Sequence, residues 1–420
     1  MSSQNPWWSR EEDSKYDAWT NLKLKWLPKE MRTISFEPFS FNFISGPRQV
    51  GKTTMVRLLI HSLLEKGTDP KSIFYFSCDE LTDFKELGNI LDSFMASRAA
   101  FKTKGSYIFL DEVTFVEDWW RAIKLRIDAG ALVSDVLTVT GSASLDLLRH
   151  RENFPGRRGK GKDIALRPLG FRSYVQALSK LDLQKAESLA GAEPVMTANR
   201  IFEEKLHDLF ESYLETGGFP LPTHEKAETG RVSEDSRKSL VDSLRRDWFG
   251  VGKSDKYMKE VLSYLLEARG TPISWLSISK DTSIASPNTA RSYVEALHDL
   301  LLTCELNLIE PSGRIAYRKN KKIHFTDPFL YNAFSGYTGI NSDEAAVVEA
   351  VVASHLSRAY ETFYWRNGSE VDAIVLEGKE QVGFEVKWGF KKGRRPKHLA
   401  KYYSLDRRAI PLFLSSLSWA

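Results

Sequence analysis

Residues 46–53 read Gly46-Pro47-Arg48-Gln49-Val50-Gly51-Lys52-Thr53. This is the G-x-x-x-x-G-K-[ST] spacing of a phosphate-binding loop. An apolar, β-prone run at 41–45 precedes it and an amphipathic run at 55–64 follows, so strand, loop and helix stand in the order that the motif requires. A chance glycine turn before a helix is the alternative, and the three elements in register argue against it. The sequence therefore predicts a site for a nucleoside triphosphate.

The residue types of this loop predict how the nucleotide is held. The two glycines let the backbone curl until its N–H groups point at phosphate oxygens, and the following helix adds the positive end of its dipole. Lys52 is expected to reach the β- and γ-phosphates, and the Thr53 hydroxyl to hold Mg²⁺. We expect ATP and Mg²⁺ as cofactors, with these residues at the nucleotide: Gly46, Pro47, Arg48, Gln49, Val50, Gly51, Lys52, Thr53 and Thr54.

Two carboxylates, Asp111 and Glu112, follow the apolar strand predicted at 107–110. Carboxylates at the end of a buried strand are unfavourable unless they have a function. Asp111 is expected to complete the Mg²⁺ shell, and Glu112 to polarise the attacking water. A solvated turn is the alternative for the pair taken alone, and the phosphate loop upstream favours the catalytic interpretation.

The next strand, predicted at 136–140, ends in a polar tip where an ATPase senses the γ-phosphate. Thr140, Ser142 and Ser144 are the candidates, with Ser142 assigned to the nucleotide site; capping of a helix by either serine is the alternative. Strand and helix signals alternate throughout 41–165. That alternation predicts an α/β fold whose parallel sheet carries helices on both faces.

The bulk composition bounds the class of protein. A length of 420 residues predicts two to four domains, and the net charge of +4 says little about partners. Only two cysteines occur, Cys78 and Cys304, which excludes a disulfide framework and a C-x-x-C metal pattern. No apolar run approaches the ~18 residues of a membrane span, and the charged, aromatic start of the chain is unlike a signal peptide. We expect a cytoplasmic protein with no membrane partner.

Three helix signals, at 257–268, 275–281 and 288–301, precede a strand and a turn at 311–313. Ser286 and Pro287 are a strong start signal for the third helix, as N-cap and first helical residue. Three short helices and a β-wing predict a winged helix-turn-helix, whose third helix often enters a DNA groove. Winged helices also serve as ATPase lids and protein-docking modules. The residues expected to contact phosphate or bases are Asn288, Thr289, Arg291, Ser292, Arg314, Arg318, Lys319, Lys321 and Lys322.

A second constellation lies near the C-terminus. The alternation Glu385-Val386-Lys387 puts both charged side chains on one face of a strand, and Asp372 on the adjacent strand can reach that face. Two carboxylates can bind a divalent cation, and the lysine can help to deprotonate a water. Glu349, from a preceding amphipathic helix, completes the set. The alternative is a half-exposed strand with an ion pair, which would be preferred for the E-x-K triplet alone.

These motifs together resemble a family of archaeal and bacterial AAA+-type ATPases with a C-terminal domain related to PD-(D/E)xK nucleases. The likeness spans nearly the whole chain. It rests on the phosphate loop and on Leu110-Asp111-Glu112, Thr140-Gly141-Ser142, Pro155-Gly156-Arg157, Arg167-Pro168-Leu169-Gly170-Phe171 and Glu215-Thr216-Gly217-Gly218-Phe219-Pro220. The order Glu349, Asp372, Glu385, Lys387 is similar to the metal site of the PD-(D/E)xK fold, which archaeal Holliday-junction resolvases share.

The resemblance implies further roles. Arg157 would be an arginine finger acting on a neighbouring subunit, which implies a homo-oligomer such as a hexameric ring. Arg158 could do the same, and the basic run around them could instead bind phosphodiester or be a solvated loop: Arg149, Arg151, Arg157, Arg158, Lys160 and Lys162. Gly218-Phe219-Pro220 resembles the element that replaces a sensor arginine in signalling ATPases, or is an ordinary turn. A basic tail would grip a phosphate backbone: Lys391, Lys392, Arg394, Arg395, Lys397 and Lys401.

The expected domains follow in chain order. They are an N-terminal leader and helix (1–35), an AAA+-like ATPase core (36–170), a helical lid (171–254), a winged helix (255–335) and a restriction-endonuclease-like α/β domain (343–420). The leading hypothesis is an ATP-hydrolysing, DNA-binding ATPase acting on branched or Holliday-junction DNA in recombination or repair. The alternatives are a signalling or defence switch controlled by nucleotide, and a metal-dependent nuclease controlled by ATP.

Overall fold

The chain divides at residue 167 into two units, Met1–Arg167 and Pro168–Ala420. This computed structural model describes residues 1–101, 105–141, 153–367, 369–389 and 395–420. Several residues singled out above lie outside the described part: Ser142, Ser144, Arg149, Arg151, Lys391, Lys392 and Arg394.

A sheet of parallel strands forms the centre of the first unit. Its strands are β1 (Ser40–Ser45), β2 (Ile73–Ser77), β3 (Tyr107–Asp111), β4 (Val136–Gly141) and β5 (Asp163–Ala165). Their order in the sheet is β2-β3-β4-β1-β5, and every pairing is parallel. The carboxyl ends of β1, β3 and β4 therefore lie side by side, and this is the edge of a parallel sheet at which ligands bind.

Helices and short 3-10 turns connect these strands. The helices are α1 (Ser14–Thr20), α2 (Lys52–Glu65), α3 (Phe84–Phe101) and α4 (Trp119–Asp128); the 3-10 turns are Ser2–Gln4, Pro6–Trp8, Lys29–Thr33, Pro70–Ser72 and Val113–Phe115. Successive strand residues enter opposite cores, as Phe74 and Tyr75 do. Burial on both faces explains why the strands are nearly continuous apolar runs. The predicted α/β core with a parallel sheet is confirmed.

The N-terminal segment covers the outer edge of β2. Asn5 exchanges two hydrogen bonds with the Tyr75 main chain, accepting from its N–H at 2.7 Å and donating to its carbonyl at 2.9 Å. Trp7 and Trp8 both donate to the Ile73 carbonyl oxygen. Side chains thus occupy the main-chain groups that a neighbouring strand would otherwise pair. Asn5, Trp7 and Trp8 therefore attach the start of the chain to this edge of the sheet.

The second unit contains helices and one mixed sheet. Its helices are α5 (Phe171–Leu178), α6 (Ala192–Asn199), α7 (Glu203–Thr216), α8 (Pro220–Thr229), α9 (Glu234–Gly250), α10 (Asp255–Glu267), α11 (Trp275–Asp281), α12 (Pro287–Asp299), α13 (Pro328–Thr338), α14 (Glu344–Leu356) and α15 (Ala409–Ser416). Short 3-10 turns lie at Leu189–Gly191 and Arg200–Phe202. Its strands are β6 (Thr303–Leu308), β7 (Lys322–Phe325), β8 (Thr362–Asn367), β9 (Ser369–Glu377), β10 (Glu380–Lys387) and β11 (Lys401–Asp406).

This sheet crosses the expected boundary between a winged helix and a nuclease-like domain. Its strand order is β11-β10-β9-β8-β6-β7. The hairpin-like pair β6–β7 is antiparallel, and β6 continues the sheet by pairing in parallel with β8 at Asn307–Phe363 and Leu308–Tyr364. The two strands expected to form a separate wing therefore belong to the same sheet as the C-terminal strands. The pairing satisfies main-chain groups on the edge of β8.

The helices of the expected lid, 171–254, contribute to two different cores. Phe171 and Phe210 pack in one core with Val348 and Phe413, whereas α9 contributes to a second core with α10 and α13. Helix α14 supplies residues to both cores and is buried on nearly all sides. Glu349 thus lies in a helix that is apolar all round, rather than on an amphipathic one.

The three helices predicted around residues 257–301 are present. Ser286 caps α12 by accepting a hydrogen bond from the Asn288 N–H at 3.2 Å, and Pro287 is its first residue, as predicted. Within the described residues, no helix combines the length and the apolar character that crossing a membrane demands.

Candidate nucleotide site and a second acidic centre

The loop between β1 and α2 has a backbone that its sequence explains. A Cβ atom on Gly46 would lie 2.4 Å from the Leu166 carbonyl oxygen, so only glycine fits this close approach to the chain after β5. Gly51 has φ 99°, and Gln49 has φ 60° although it is not a glycine. Left-handed non-glycine residues are strained and cluster at ligand sites. Helix α2 begins directly at Lys52 with no side chain among the described residues capping it, which leaves its first N–H groups facing the loop.

Lys52 is buried, with 4% of its surface exposed. Its ammonium donates to the carbonyl oxygens of Gly46 at 3.0 Å and Pro47 at 3.2 Å, and lies 3.5 Å from Glu112 Oε1. The ammonium is therefore folded back onto its own loop. It is held mainly by neutral acceptors, which phosphate oxygens can replace.

Asp111 accepts hydrogen bonds from three hydroxyl groups. Thr53 Oγ1 lies 2.7 Å and Tyr75 OH 2.9 Å from Oδ2, and Thr140 Oγ1 lies 2.5 Å from Oδ1. The carboxylate of Asp111 is buried. The pKa of the Tyr75 hydroxyl is raised, mainly by the burial of Tyr75 and next by the negative charge of Asp111. Tyr75 is thus a donor to Asp111, a role that the sequence analysis missed; the only signal was a hydroxyl inside an otherwise apolar strand.

Glu112 has a left-handed backbone, with φ 55° and ψ 45°. Its N–H donates to Thr140 Oγ1 at 2.9 Å, and the same hydroxyl donates to Asp111. The Thr140 side chain therefore bridges the two consecutive carboxylate residues and fixes the turn between them. The sequence placed Thr140 among the γ-phosphate sensors, and the structure shows it orienting Asp111 and Glu112.

The residues brought together here fit the cofactors that the sequence predicts. The Thr53 hydroxyl and the Asp111 carboxylate are adjacent hard oxygen ligands of the kind that Mg²⁺ prefers. A lysine and the start of a helix stand beside them, as phosphate binding requires. The guanidinium of Arg48, also in this loop, lies 5.0 Å from the centre of the Phe115 ring.

The two candidate finger arginines both pair with carboxylates of their own unit. Arg157 Nε lies 2.5 Å from Asp128 Oδ1, and this hydrogen bond lowers the pKa of the Asp128 carboxyl. Arg158 lies 2.7 Å from Asp163 and stacks over the Phe43 ring at 4.8 Å. A finger role for Arg157 requires that its pair with Asp128 opens.

Two of the four residues of the expected nuclease-like pattern, Glu349 and Asp372, lie beside a lysine that the sequence placed elsewhere. Lys322, expected in the wing as a phosphate contact, is 1% exposed. Its ammonium lies 2.7 Å from Glu349, 2.5 Å from Glu370 and 3.6 Å from Asp372. The assignment of Lys322 to DNA contact was wrong, because β7 directs this side chain into the interior.

The remaining two residues of the pattern form their own pair. Lys387 Nζ lies 2.5 Å from Glu385 Oε1, and Asp372 Oδ2 accepts from the Val386 N–H at 2.8 Å.

Burial raises the pKa of the Glu349 carboxyl, and the positive charge of Lys322 opposes that shift. Glu385 Oε2 is buried and has no hydrogen-bond partner within the described ranges of the chain. Among the described residues, no group of three or more His, Cys, Asp or Glu side chains has the arrangement of a metal site.

The other expected DNA contacts differ in their exposure. Asn288, Thr289 and Arg291 of α12 are exposed, and Arg291 forms an ion pair with Glu295 one turn along the helix. The segment between β6 and β7 exposes Arg314, Tyr317, Arg318 and Lys319, whereas the adjacent Lys321 pairs with Glu305 at 2.7 Å and Ser292 is half-buried. In the described part of the tail, Arg395 and Lys397 are exposed and Lys401 pairs with Glu377.

The Gly217-Gly218 pair is explained by close packing within the second unit. A Cβ on Gly217 would lie 1.7 Å from Asp327 Oδ1, and one on Gly218 would lie 2.0 Å from the Leu169 carbonyl oxygen. Asp327 accepts from the Gly218 N–H at 2.9 Å. Burial raises the pKa of this carboxyl to about 7.

Comparison with known proteins gives two matches to family models. Residues 38–175 match a family model described as an AAA domain, and residues 207–343 match a domain of unknown function. Uncharacterized proteins of Mycobacterium bovis and Mycobacterium tuberculosis are each 24% identical over 360 residues, covering 82% of this chain and 69% of the relative.

Solved structures give only loose superpositions. The ORC2 protein of Aeropyrum pernix, in ADPNP and ADP complexes, aligns at 13% identity over 72% of this chain and 87% of that one, with a TM-score of 0.38. The RuvB Holliday junction branch migration motor of Thermotoga maritima aligns at 16% identity over 68% and 86%, with a TM-score of 0.25. Scores at this level carry no structural argument. The AAA match coincides with the parallel sheet and the phosphate loop, so this part of the chain is similar to an AAA domain in both sequence and local architecture.

Proposed function

We propose that this chain hydrolyses ATP and that DNA binding by its second unit controls the rate. The observation that carries the hydrolytic part is the hydroxyl of Thr140, which bridges Asp111 and the strained Glu112 beside Lys52. An ordinary solvated turn would not hold two consecutive carboxylate residues through one buried hydroxyl. Such preorganisation is what phosphoryl transfer requires of a protein, because its catalysis is mainly positioning and charge stabilisation.

Each residue of the site has a role in this proposal. Lys52 exchanges its carbonyl partners for phosphate oxygens, and the N–H groups of the loop contact the same phosphates. Thr53 and Asp111 would hold Mg²⁺, which neutralises charge on the phosphates when bound. Glu112 orients a water and accepts its proton, since its carboxylate lies close to Lys52 at the end of β3.

The DNA part rests on the exposed basic segment between β6 and β7. Arg314, Arg318 and Lys319 are exposed around Tyr317, a large aromatic side chain that is 64% exposed. Cationic groups attract a phosphate backbone, and an exposed aromatic ring offers a stacking surface to a base. Branched DNA is the substrate class to test first, because the C-terminal pattern resembles that of Holliday-junction resolvases.

ATP turnover with single-stranded, duplex and four-way-junction DNA, measured in parallel, tests the proposal. We expect DNA to stimulate turnover, and Arg314→Ala, Arg318→Ala and Lys319→Ala together to remove the stimulation while basal turnover persists. A matched control removes three exposed lysines of the same unit, Lys180, Lys205 and Lys238. Equal turnover with and without every DNA would contradict DNA control and favour a nucleotide switch that responds to a protein partner.

We also propose that Arg157 completes the site of a neighbouring copy in a homo-oligomeric ring. Its release from Asp128 is then a step of assembly, so Asp128→Ala should raise turnover or leave it unchanged, whereas Arg157→Ala should lower it. Mixing Arg157→Ala subunits with Glu112→Gln subunits should restore part of the activity, because some interfaces then join an intact finger to an intact carboxylate. Full turnover by a monomer at high dilution would exclude this role.

A further inference from the structure

The second acidic centre is built around an ammonium group. Lys322 begins β7, and its side chain ends between carboxylates of α14 and β9, with Glu349 and Glu370 in direct contact and Asp372 at 3.6 Å. Glu370 is not part of the nuclease-like pattern. This group of carboxylates is therefore defined by its proximity to Lys322 rather than by the pattern.

A buried carboxylate requires a counter-charge or hydrogen-bond donors. In metal-dependent nucleases of any fold, oxygen ligands gather around a divalent cation for this reason. Here one ammonium contacts two carboxylates directly and lies near a third, inside a region where Lys322 is 1% exposed and His324 is fully buried. The charge compensation that a metal ion would provide is thus supplied in part by the chain itself.

We propose that the Lys322 ammonium is the resident cation of this centre and occupies the place of a divalent metal ion. The second unit then folds without metal, and the nuclease-like residues act as a structural ion cluster rather than as a cleavage site. The lysine of the pattern supports this assignment, because Lys387 is itself paired with Glu385 at 2.5 Å. Asp372 is committed too, since its second oxygen accepts the Val386 N–H.

Removal of the Lys322 ammonium should make the stability of the protein depend on a divalent metal ion. Without Lys322, the carboxylates of Glu349, Glu370 and Asp372 remain close together in a partly buried space, and their repulsion destabilises the folded state. A divalent cation relieves that repulsion because it is small, doubly charged and coordinated by oxygen. The substituted protein should therefore acquire a dependence on metal that the parent lacks.

The test uses the full chain without nucleotide, in chelator and in Mn²⁺. Lys322→Met should lower Tm by about 6 °C or more in chelator, as expected for a broken buried ion pair. Mn²⁺ should restore at least half of that fall, with about one additional Mn²⁺ bound per chain by calorimetry. Lys321→Met is the matched control, because Lys321 is the neighbouring lysine and pairs with Glu305 instead. Its Tm should not depend on Mn²⁺, and the same holds for the parent.

A second substitution locates the bound metal. Adding Glu349→Gln to Lys322→Met should abolish both the extra Mn²⁺ and the restored Tm. If Lys322→Met does not fold in chelator, recovery of folded protein in Mn²⁺ alone supports the proposal, and equal failure in both media overturns it.

Two other results would overturn the proposal. One is a Lys322→Met protein whose Tm is that of the parent in both media. The other is Mn²⁺ binding by the parent that Asp372→Asn or Glu385→Gln removes, because Glu385 Oε2 is a buried carboxylate oxygen with no hydrogen-bond partner in the part of the chain that the structure describes. A metal bound there would show that Lys322 does not replace it.

Discussion

Lys52 and Lys322 are both buried lysines close to carboxylates, yet their ammonium groups are held differently. The ammonium of Lys52 rests on two neutral carbonyl oxygens at 3.0 and 3.2 Å, and Glu112 is farther away at 3.5 Å. The ammonium of Lys322 lies 2.5 and 2.7 Å from two carboxylates. Both lysines are ionised donors, but only the acceptors of Lys322 are also ionised.

The difference separates a lysine that is available to a ligand from one that is already neutralised. A phosphate offers Lys52 better partners than the carbonyl groups that hold it, so ligand binding moves the ammonium at little cost. A ligand of Lys322 would have to displace the partly buried carboxylates of Glu349 and Glu370, which need its charge. The sequence assigned both lysines to phosphate contacts, and only their partners in the structure show that Lys52 is the one available to a substrate.

The largest expected effect comes from substituting Lys52, the lysine that is available to a ligand. Lys52→Ala removes the cation that contacts the β- and γ-phosphates, so ATP turnover should fall by about 10³-fold or more, which corresponds to about 4 kcal/mol. Turnover measured by phosphate release, together with an unchanged far-UV spectrum, checks this. Lys66→Ala, at the exposed C-terminal end of the same helix, is the control and should keep parental turnover. Parental turnover by Lys52→Ala would mean that the loop is not the catalytic site.

A buried carboxylate without an ammonium partner extends the comparison. Asp327 is held by the N–H groups of Gly218 and Phe329, and burial raises its pKa to about 7. Because the folded pKa lies above the ordinary value of 3.8 for this carboxyl, the folded state binds more protons between these values, and stability falls as pH rises through that window. The full effect is about 4 kcal/mol above pH 8.

Asp327→Asn removes the ionisation and should therefore change this pH dependence. At pH 5 the variant should have the lower Tm, because the amide cannot accept from both N–H groups at once. The Tm difference between variant and parent should then move in favour of the variant as pH rises to 8. A difference that stays constant from pH 5 to 8 would refute the assignment of the raised pKa to Asp327.

A smaller effect is expected from substituting Thr140, whose hydroxyl holds Asp111 and the Glu112 backbone beside Lys52. Thr140→Val leaves the Glu112 N–H without its acceptor and Asp111 without one donor. Turnover should fall by about 30-fold, or about 2 kcal/mol, with little change in ATP affinity. Thr138→Val, on the same strand and equally buried, is the control. Equal losses in affinity and turnover would show that Thr140 supports the fold of the loop rather than the position of Glu112.

The smallest effect concerns the support of Tyr75 from the N-terminal segment. Asn5→Ala removes the two hydrogen bonds to the Tyr75 main chain and should lower the free energy of unfolding of the first unit by about 1 kcal/mol. Chemical denaturation with and without ATP measures it. Gln4→Ala, which removes a single acceptor from the Ser77 N–H, should have about half that effect. A large loss of turnover in Asn5→Ala would mean that the edge of β2 controls Asp111 through Tyr75.

Local signals predicted local structure well. The phosphate loop stands between β1 and α2, and Ser286 and Pro287 start α12 at the predicted residue, because capping and loop chemistry involve neighbours in sequence. The parallel sheet followed from continuous apolar strands. These features depend on a few adjacent residues, which a sequence shows directly.

Contacts between distant residues were not predictable in this way. Lys322 meets carboxylates at 349, 370 and 372, and no pattern in the β6–β7 segment marks it as an interior residue rather than one of several basic residues. The pairing of Asn5 with Tyr75 spans 70 residues. In both cases the fold brings the partner from a distant part of the chain. The role of such a residue therefore depends on contacts that its neighbours in sequence do not reveal.

The parallel pairing of β6 with β8 limits how this protein can be divided. A fragment that begins at residue 343, where a separate nuclease-like module was expected, would lack β6 and β7. It would carry the acidic residues of the second centre without the lysine that neutralises them, and its sheet would end at an uncovered strand. A fragment of this region that is transferred to another protein, by evolution or by engineering, therefore has to begin upstream of β6. Otherwise it needs another cation in place of Lys322.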